Sequence, residues 1–163
     1  MLDPRNKNLG ARLIINLEKL YLSLKKLGLK NSPVDEYYQL SHELGIPPKE
    51  MNALQNKLFG IECNFEELNG IDFKKGCYVG QENTARIKLK NKLSKRLLPI
   101  QLIEGKLDQD DPVYDDEFEI GKVLINNDYP FALVKFLDNH FNEKNEFKSK
   151  NAKLRIKIPS WIN

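Results

Sequence analysis

A chain of 163 residues that is 40% hydrophobic and 30% charged can bury a core as one ordinary domain or two small ones. Its net charge of +3 is too small to imply nucleic acid, and no apolar run approaches the roughly 20 residues a membrane helix needs. Two cysteines without CxxC spacing exclude a disulfide framework and point to a reducing cytoplasm; only two histidines are present and no metal site is expected.

The first ten residues are polar and contain Pro4, unlike a secretory signal. Residues 9–15 (LGARLII) are a short apolar run that fits a buried strand. Leu17, Leu20, Tyr21, Leu24 and Leu27 follow at helical spacing, and Gly28 closes that helix. Ser32 before Pro33 reads as an N-cap, with Asp35 and Glu36 in a favourable first turn; this second helix runs to Gly45 and is stopped by Pro47 and Pro48. A third, shorter helix is expected over residues 49–57, then a looser stretch with a turn at Asn69-Gly70. From about Ile87 the pattern changes to short apolar runs with turn punctuation, at residues 97–103, 112–114, 119–125, 131–136 and 154–158. Four or five such strands predict a small closed or nearly closed antiparallel barrel. Residues 138–151 are charged and weakly patterned, as expected for a long hairpin loop.

The most informative string is Lys75-Gly76-Cys77-Tyr78-Val79-Gly80-Gln81-Glu82, continuing to Ala85 and Arg86. Gly76 and Gly80 permit backbone paths closed to other residues. Lys74 and Lys75 precede the thiol, and residues 81–86 read as a helix starting just after it. Cations and a helix N-terminus both favour thiolate over thiol, so Cys77 is either an activated nucleophile or small filler in a glycine-punctuated loop. Cys63 reads as a core residue. Glu82 and Arg86, one helical turn apart, suit a surface ion pair.

The pattern K-G-C-Y-x-G-Q-E-x-T-A-R resembles the signature of the YgfZ-type folate-binding proteins, relatives of the glycine-cleavage T-protein that support assembly or repair of iron–sulfur enzymes. Shorter pieces resemble that family in the same order: Asp3-Pro4-Arg5 with Leu9-Gly10-Ala11-Arg12, Leu44-Gly45-Ile46-Pro47, Glu62-x-Asn64, and Pro159-Ser160-Trp161. The resemblance implies an α+β protein: a partial α/β folate-binding region over residues 1–86, carrying the signature, followed by a small antiparallel β-barrel over residues 87–163. It implies tetrahydrofolate as cofactor, with Glu62, Asn64, Lys75, Gly76, Tyr78, Gly80, Gln81, Glu82 and Arg86 as candidate contacts and Cys77 as the reactive group. Tyr78 could stack on a pterin or plug a seam between subdomains.

Whole family members carry a further N-terminal domain, and nothing in this chain corresponds to it. The chain is therefore expected to be a C-terminal half with an incomplete folate pocket. Implied partners are the iron–sulfur assembly machinery or its client proteins, and a separate N-terminal half or a second copy of the chain. Two other functions stay open: an aminomethyltransferase of T-protein type, and the non-catalytic half of a split folate-binding protein. Residues 74–96 hold eight Lys/Arg against Glu82, and residues 104–119 hold eight acids against Lys106. These are either solvated faces that attract each other, or the first is a basic rim for a polyanion such as polyglutamylated folate or RNA.

Overall fold

Six short strands close into an antiparallel barrel: β1 (Arg96–Gly105), β2 (Pro112–Asp115), β3 (Phe118–Ile125), β4 (Phe131–Val134), β5 (Phe147–Ser149) and β6 (Ala152–Ile156). The order around the barrel is β1-β4-β3-β2-β5-β6, with β6 returning to β1. The computed structural model describes residues 1–76, 81–89, 93–135 and 141–162. Among the described strands, closure leaves no unpaired edge to template association.

Apolar residues on alternate positions fill the interior, among them Leu98, Ile100, Val113, Ile120, Val123, Val134, Phe147 and Leu154. Their neighbours Leu97, Leu124, Phe131 and Leu133 point outward and are also buried, beneath Leu54, Met51 and Leu58. This explains why β1 and β4 are apolar without alternation: both faces are covered. Gly121 sits where β3 meets β4, and a Cβ there would lie 2.3 Å from the Leu133 carbonyl oxygen.

β5 falls inside the stretch expected to be loop. Only three residues long, it reads Phe-Lys-Ser, yet Phe147 and Ser149 are buried. β6 begins two residues before the expected run and ends at Ile156.

In the N-terminal part, α1 (Leu17–Lys26) is capped by Asn16, whose side chain accepts from the Glu18 N–H at 2.9 Å. It ends at Gly28 (φ +65°), where the Leu29 N–H reaches the Leu24 carbonyl at 3.0 Å. α2 (Val34–Glu43) starts one residue later than the Ser-Pro signal suggests: Pro33 holds the cap position, and the Ser32 hydroxyl donates to the Glu36 carboxylate. It closes the same way at Gly45 (φ +72°), with Ile46 N–H on the Ser41 carbonyl at 2.8 Å. The third helix expected near residue 50 is only a 3-10 turn, Met51–Leu54. α3 (Gln81–Leu89) occupies the place read as a helix.

The strand expected over residues 9–15 does not form. Leu9 is buried, but Leu13 is 53% and Ile14 83% exposed. Among the described residues the segment finds only an isolated bridge, Leu2 to Ala11. A strand needs a partner for its N–H and C=O groups, and here none is supplied beyond that bridge.

The tail ties the two regions together. A Cβ on Gly45 would lie 2.1 Å from the Pro159 side chain, and Trp161 Nε1 donates to the Leu44 carbonyl at 2.7 Å. Two motifs more than a hundred residues apart thus form one contact, over a cluster of Leu9, Ile46 and Leu68.

Candidate functional site

The segment leading to the signature lies against the outside of the barrel. Leu97 N–H donates to the Glu62 carbonyl at 2.9 Å, so residue 62 is held at the start of β1. The Glu62 carboxylate accepts from the Phe59 N–H at 3.0 Å. Asn64 is 2% exposed and stands at φ +61°, a conformation asparagine tolerates better than most residues. Its Nδ2 donates to the Leu97 carbonyl at 2.8 Å, and its Oδ1 accepts from Arg96 at 2.9 Å. Arg96, also buried, pairs with Glu67 at 2.6 Å. Both ends of the Asn64 amide are therefore engaged within the chain.

Lys75 and Gly76 close the loop that follows and are exposed; a Cβ on Gly76 would meet nothing within 4 Å. Cys77, Tyr78 and Gly80 lie outside the described residues. Gln81 opens α3, and Glu82 and Arg86 are exposed on it. Among the described residues no ion pair joins Glu82 to Arg86. The cation that anchors α3 is Lys88, which pairs with Glu66 and lies 5.0 Å from the Phe73 ring centre. The Lys88–Glu66 pair and the bonds of Arg96 to Asn64 and Glu67 were not legible in sequence, because each joins residues more than twenty positions apart.

Cys63 is buried, as its reading as a core residue requires. Burial, reinforced by the nearby Glu62 charge, pushes its thiol up to about 11. A cavity of about 310 Å³ opens beside it, lined by Arg5, Ile46, Pro47, Met51, Phe65 and Leu68. The D-P-R and L-G-x-R pieces meet next to this cavity. Asp3, 5% exposed, accepts from Arg5 N–H, Nε and a terminal nitrogen at 3.0–3.1 Å, and from Arg12 Nε at 2.8 Å. Arg5 reaches on to the Tyr37 hydroxyl at 2.6 Å. The Arg5 hydrogen bonds, with those of Arg12, outweigh burial and hold the Asp3 carboxyl well below the usual range.

Two larger cavities, about 510 and 440 Å³, flank His42 on α2. His42 Nε2 lies 3.0 Å from the Pro130 carbonyl, and its ring meets Phe131 edge-on at 5.2 Å. Burial shifts its pKa down, so the neutral ring that donates to Pro130 is favoured. Neither cavity is lined by a candidate folate contact.

Of the eight cations in residues 74–96, Arg96 is buried and Lys88 is paired, while Lys74, Lys75, Arg86 and Lys95 are exposed. Four of the acids of residues 104–119, Glu104, Asp108, Asp110 and Asp111, pair with Lys153, Lys106, Lys122 and Lys150. Among the described residues, no ion pair joins the two segments.

Comparison with known proteins adds the functional context. No family model matches the chain. A mitochondrial iron–sulfur cluster assembly factor IBA57 homologue of Neurospora crassa is 37% identical over 97 residues, 60% of this chain and 22% of its own length. The corresponding protein of Dictyostelium discoideum is 36% identical over 103 residues, 61% of this chain and 25% of its own. The mitochondrial IBA57 assembly factor of Mus musculus is 34% identical over 106 residues, 64% of this chain and 28% of its own. The chain is thus similar to YgfZ-type assembly factors, as its signature indicated, and the match spans about a quarter of their length. These relatives are mitochondrial, which overturns the expectation of a cytoplasmic protein. Sparse cysteine usage argues against an oxidising compartment but does not choose among reducing ones.

Proposed function

We propose that this chain, as a relative of the iron–sulfur cluster assembly factors, acts in the assembly or repair of iron–sulfur proteins, with Cys77 as its reactive group. The observation that carries the reading is the run of 34–37% identical relatives that bear that activity in their names. Those names favour assembly over aminomethyl transfer. Its partners would be the assembly machinery or the client proteins.

Two cysteines alone fall short of the four ligands a cluster usually takes, so the thiol would act with groups from a partner or a small thiol. Support for an activated Cys77 comes from its surroundings. Lys74 and Lys75 are exposed just before it, and α3 begins four residues after it. Cys63, with its raised pKa, is the inert member of the pair.

Tetrahydrofolate is the ligand the resemblance suggests, and those candidate contacts that are described are engaged within the chain or exposed. Asn64 is spent on Leu97 and Arg96, Glu62 has one carboxylate oxygen on Phe59, and Lys75, Glu82 and Arg86 are exposed. We therefore propose weak or negligible folate binding by this chain alone.

The test is complementation in cells lacking their own homologue, with iron–sulfur enzyme activity as the readout. The chain should restore activity, and Cys77→Ser should not. No restoration by the wild-type chain, expressed and folded, would overturn the assembly role. Equal restoration by Cys77→Ser would leave that role standing and remove the reactive thiol from it.

A further inference from the structure

We infer that the cavity beside Cys63 binds a compact monoanion with an apolar body, its carboxylate seated on Arg5. The inference stands apart from the iron–sulfur reading and from folate, since none of the described candidate folate contacts lines this cavity. Its walls are apolar, formed by Ile46, Pro47, Met51, Phe65 and Leu68, and its volume is about 310 Å³. That lies at the low end of the roughly 300–1,000 Å³ typical of ligand pockets. At about 30 Å³ each, the space holds on the order of ten non-hydrogen atoms. Phe65 supplies an aromatic wall that is held in place. It packs over two glycines: a Cβ on Gly60 would lie 3.1 Å from its ring, and one on Gly70 3.2 Å from its Cβ. Such a wall suits a ring on the ligand.

Charge selects the other end of the ligand. Among the described residues, Arg5 is the only charged side chain that lines the cavity. Asp3 accepts from its Nε and from one terminal nitrogen at 3.1 and 3.0 Å, and the Tyr37 hydroxyl accepts from that same nitrogen at 2.6 Å. The other terminal nitrogen has no hydrogen-bond partner among the described residues, which leaves its N–H donors for a ligand. Asp3 also pairs with Arg12 at 2.8 Å, so one carboxylate is shared by two guanidinium groups and the cluster is net positive. Because Asp3 already fixes the Arg5 guanidinium, little ordering is needed on binding. Cys63 stays a neutral thiol, its pKa raised by burial, and so does not repel an anion.

The test uses hydrocinnamate and its uncharged amide as probes, followed by NMR of the chain labelled with carbon-13 at the methionine methyls. The chain has two methionines: Met51 lines the cavity, and Met1, 75% exposed, reports non-specific contact. Hydrocinnamate should shift Met51 and not Met1, with a dissociation constant of about 1 millimolar or tighter. The amide should bind at least about fivefold more weakly, because it gives up the charge-assisted bond. Arg5→Lys keeps a cation for Asp3 but loses the spare terminal nitrogen. It should bring the acid down to the amide's affinity and leave the amide unchanged. No Met51 shift at about 20 millimolar hydrocinnamate, equal shifts at both methionines, equal affinity for acid and amide, or an acid affinity indifferent to Arg5→Lys would each overturn the proposal.

Discussion

Replacing Asn64 with alanine separates a structural from a ligand-binding role for the Glu62-x-Asn64 piece. Asn64 links the signature-bearing region to the barrel through its bonds to Leu97 and Arg96 at 2.8 and 2.9 Å. Loss of the neutral bond costs about 1 kcal/mol, and loss of the bond to the guanidinium about 2 kcal/mol. Alanine must also hold the left-handed backbone at φ +61°. That adds about 1 kcal/mol that asparagine largely escapes. Asn64→Ala should therefore destabilise the chain by about 4 kcal/mol, summing these terms. Asn64→Gly, which accepts the backbone, should recover roughly 1 kcal/mol of it. Urea denaturation followed by circular dichroism measures both, with the m-value checking that the unfolding reaction is the same. If Asn64→Ala unfolds within about 1 kcal/mol of wild type, the buried network does not hold these regions together. A fully stable variant that had lost only ligand affinity would instead place Asn64 in a binding site.

The remaining predictions concern the thiols, the Asp3 clamp, the barrel and the ligand. Iodoacetamide labelling near neutral pH should modify Cys77 well before Cys63, whose thiol titrates only near 11; equal rates would remove the case for an activated Cys77. The Asp3 carboxyl is lowered in the folded state, so its stabilisation is complete above the unfolded value of about 3.9 and is lost as pH falls below it. Asp3→Asn should thus destabilise at pH 7, with the gap to wild type narrowing below about pH 4; a gap independent of pH would contradict the clamp. Gly121→Ala should cost about 2 kcal/mol in thermal unfolding, because the added methyl would meet backbone rather than a yielding side chain; a neutral result would mean β3 and β4 can separate locally. Calorimetric titration with tetrahydrofolate should show weak or no binding, and micromolar affinity would mean that the chain forms a complete pocket by itself.

Local signals carried much of the architecture. Gly28 ends α1 and Gly45 ends α2, and each acts within a few residues of itself, so one-dimensional reading finds them. The barrel strands were legible from dense apolar runs, and the signature from the bare order of its residues. What depended on partners was not. Residues 9–15 have the composition of a strand but no neighbour among the described residues to complete one, so the segment stays largely exposed. β5 has almost no composition of its own and exists because β2 and β6 flank it in the closed barrel. The same holds for the site. Sequence order alone named Cys77 and Asn64 as candidates, but the hydrogen bonds that Asn64 makes depend on Arg96 and Leu97, over thirty positions away. A side chain's chemistry is written in its residue type, whereas its availability depends on which distant groups the fold has already hydrogen-bonded to it.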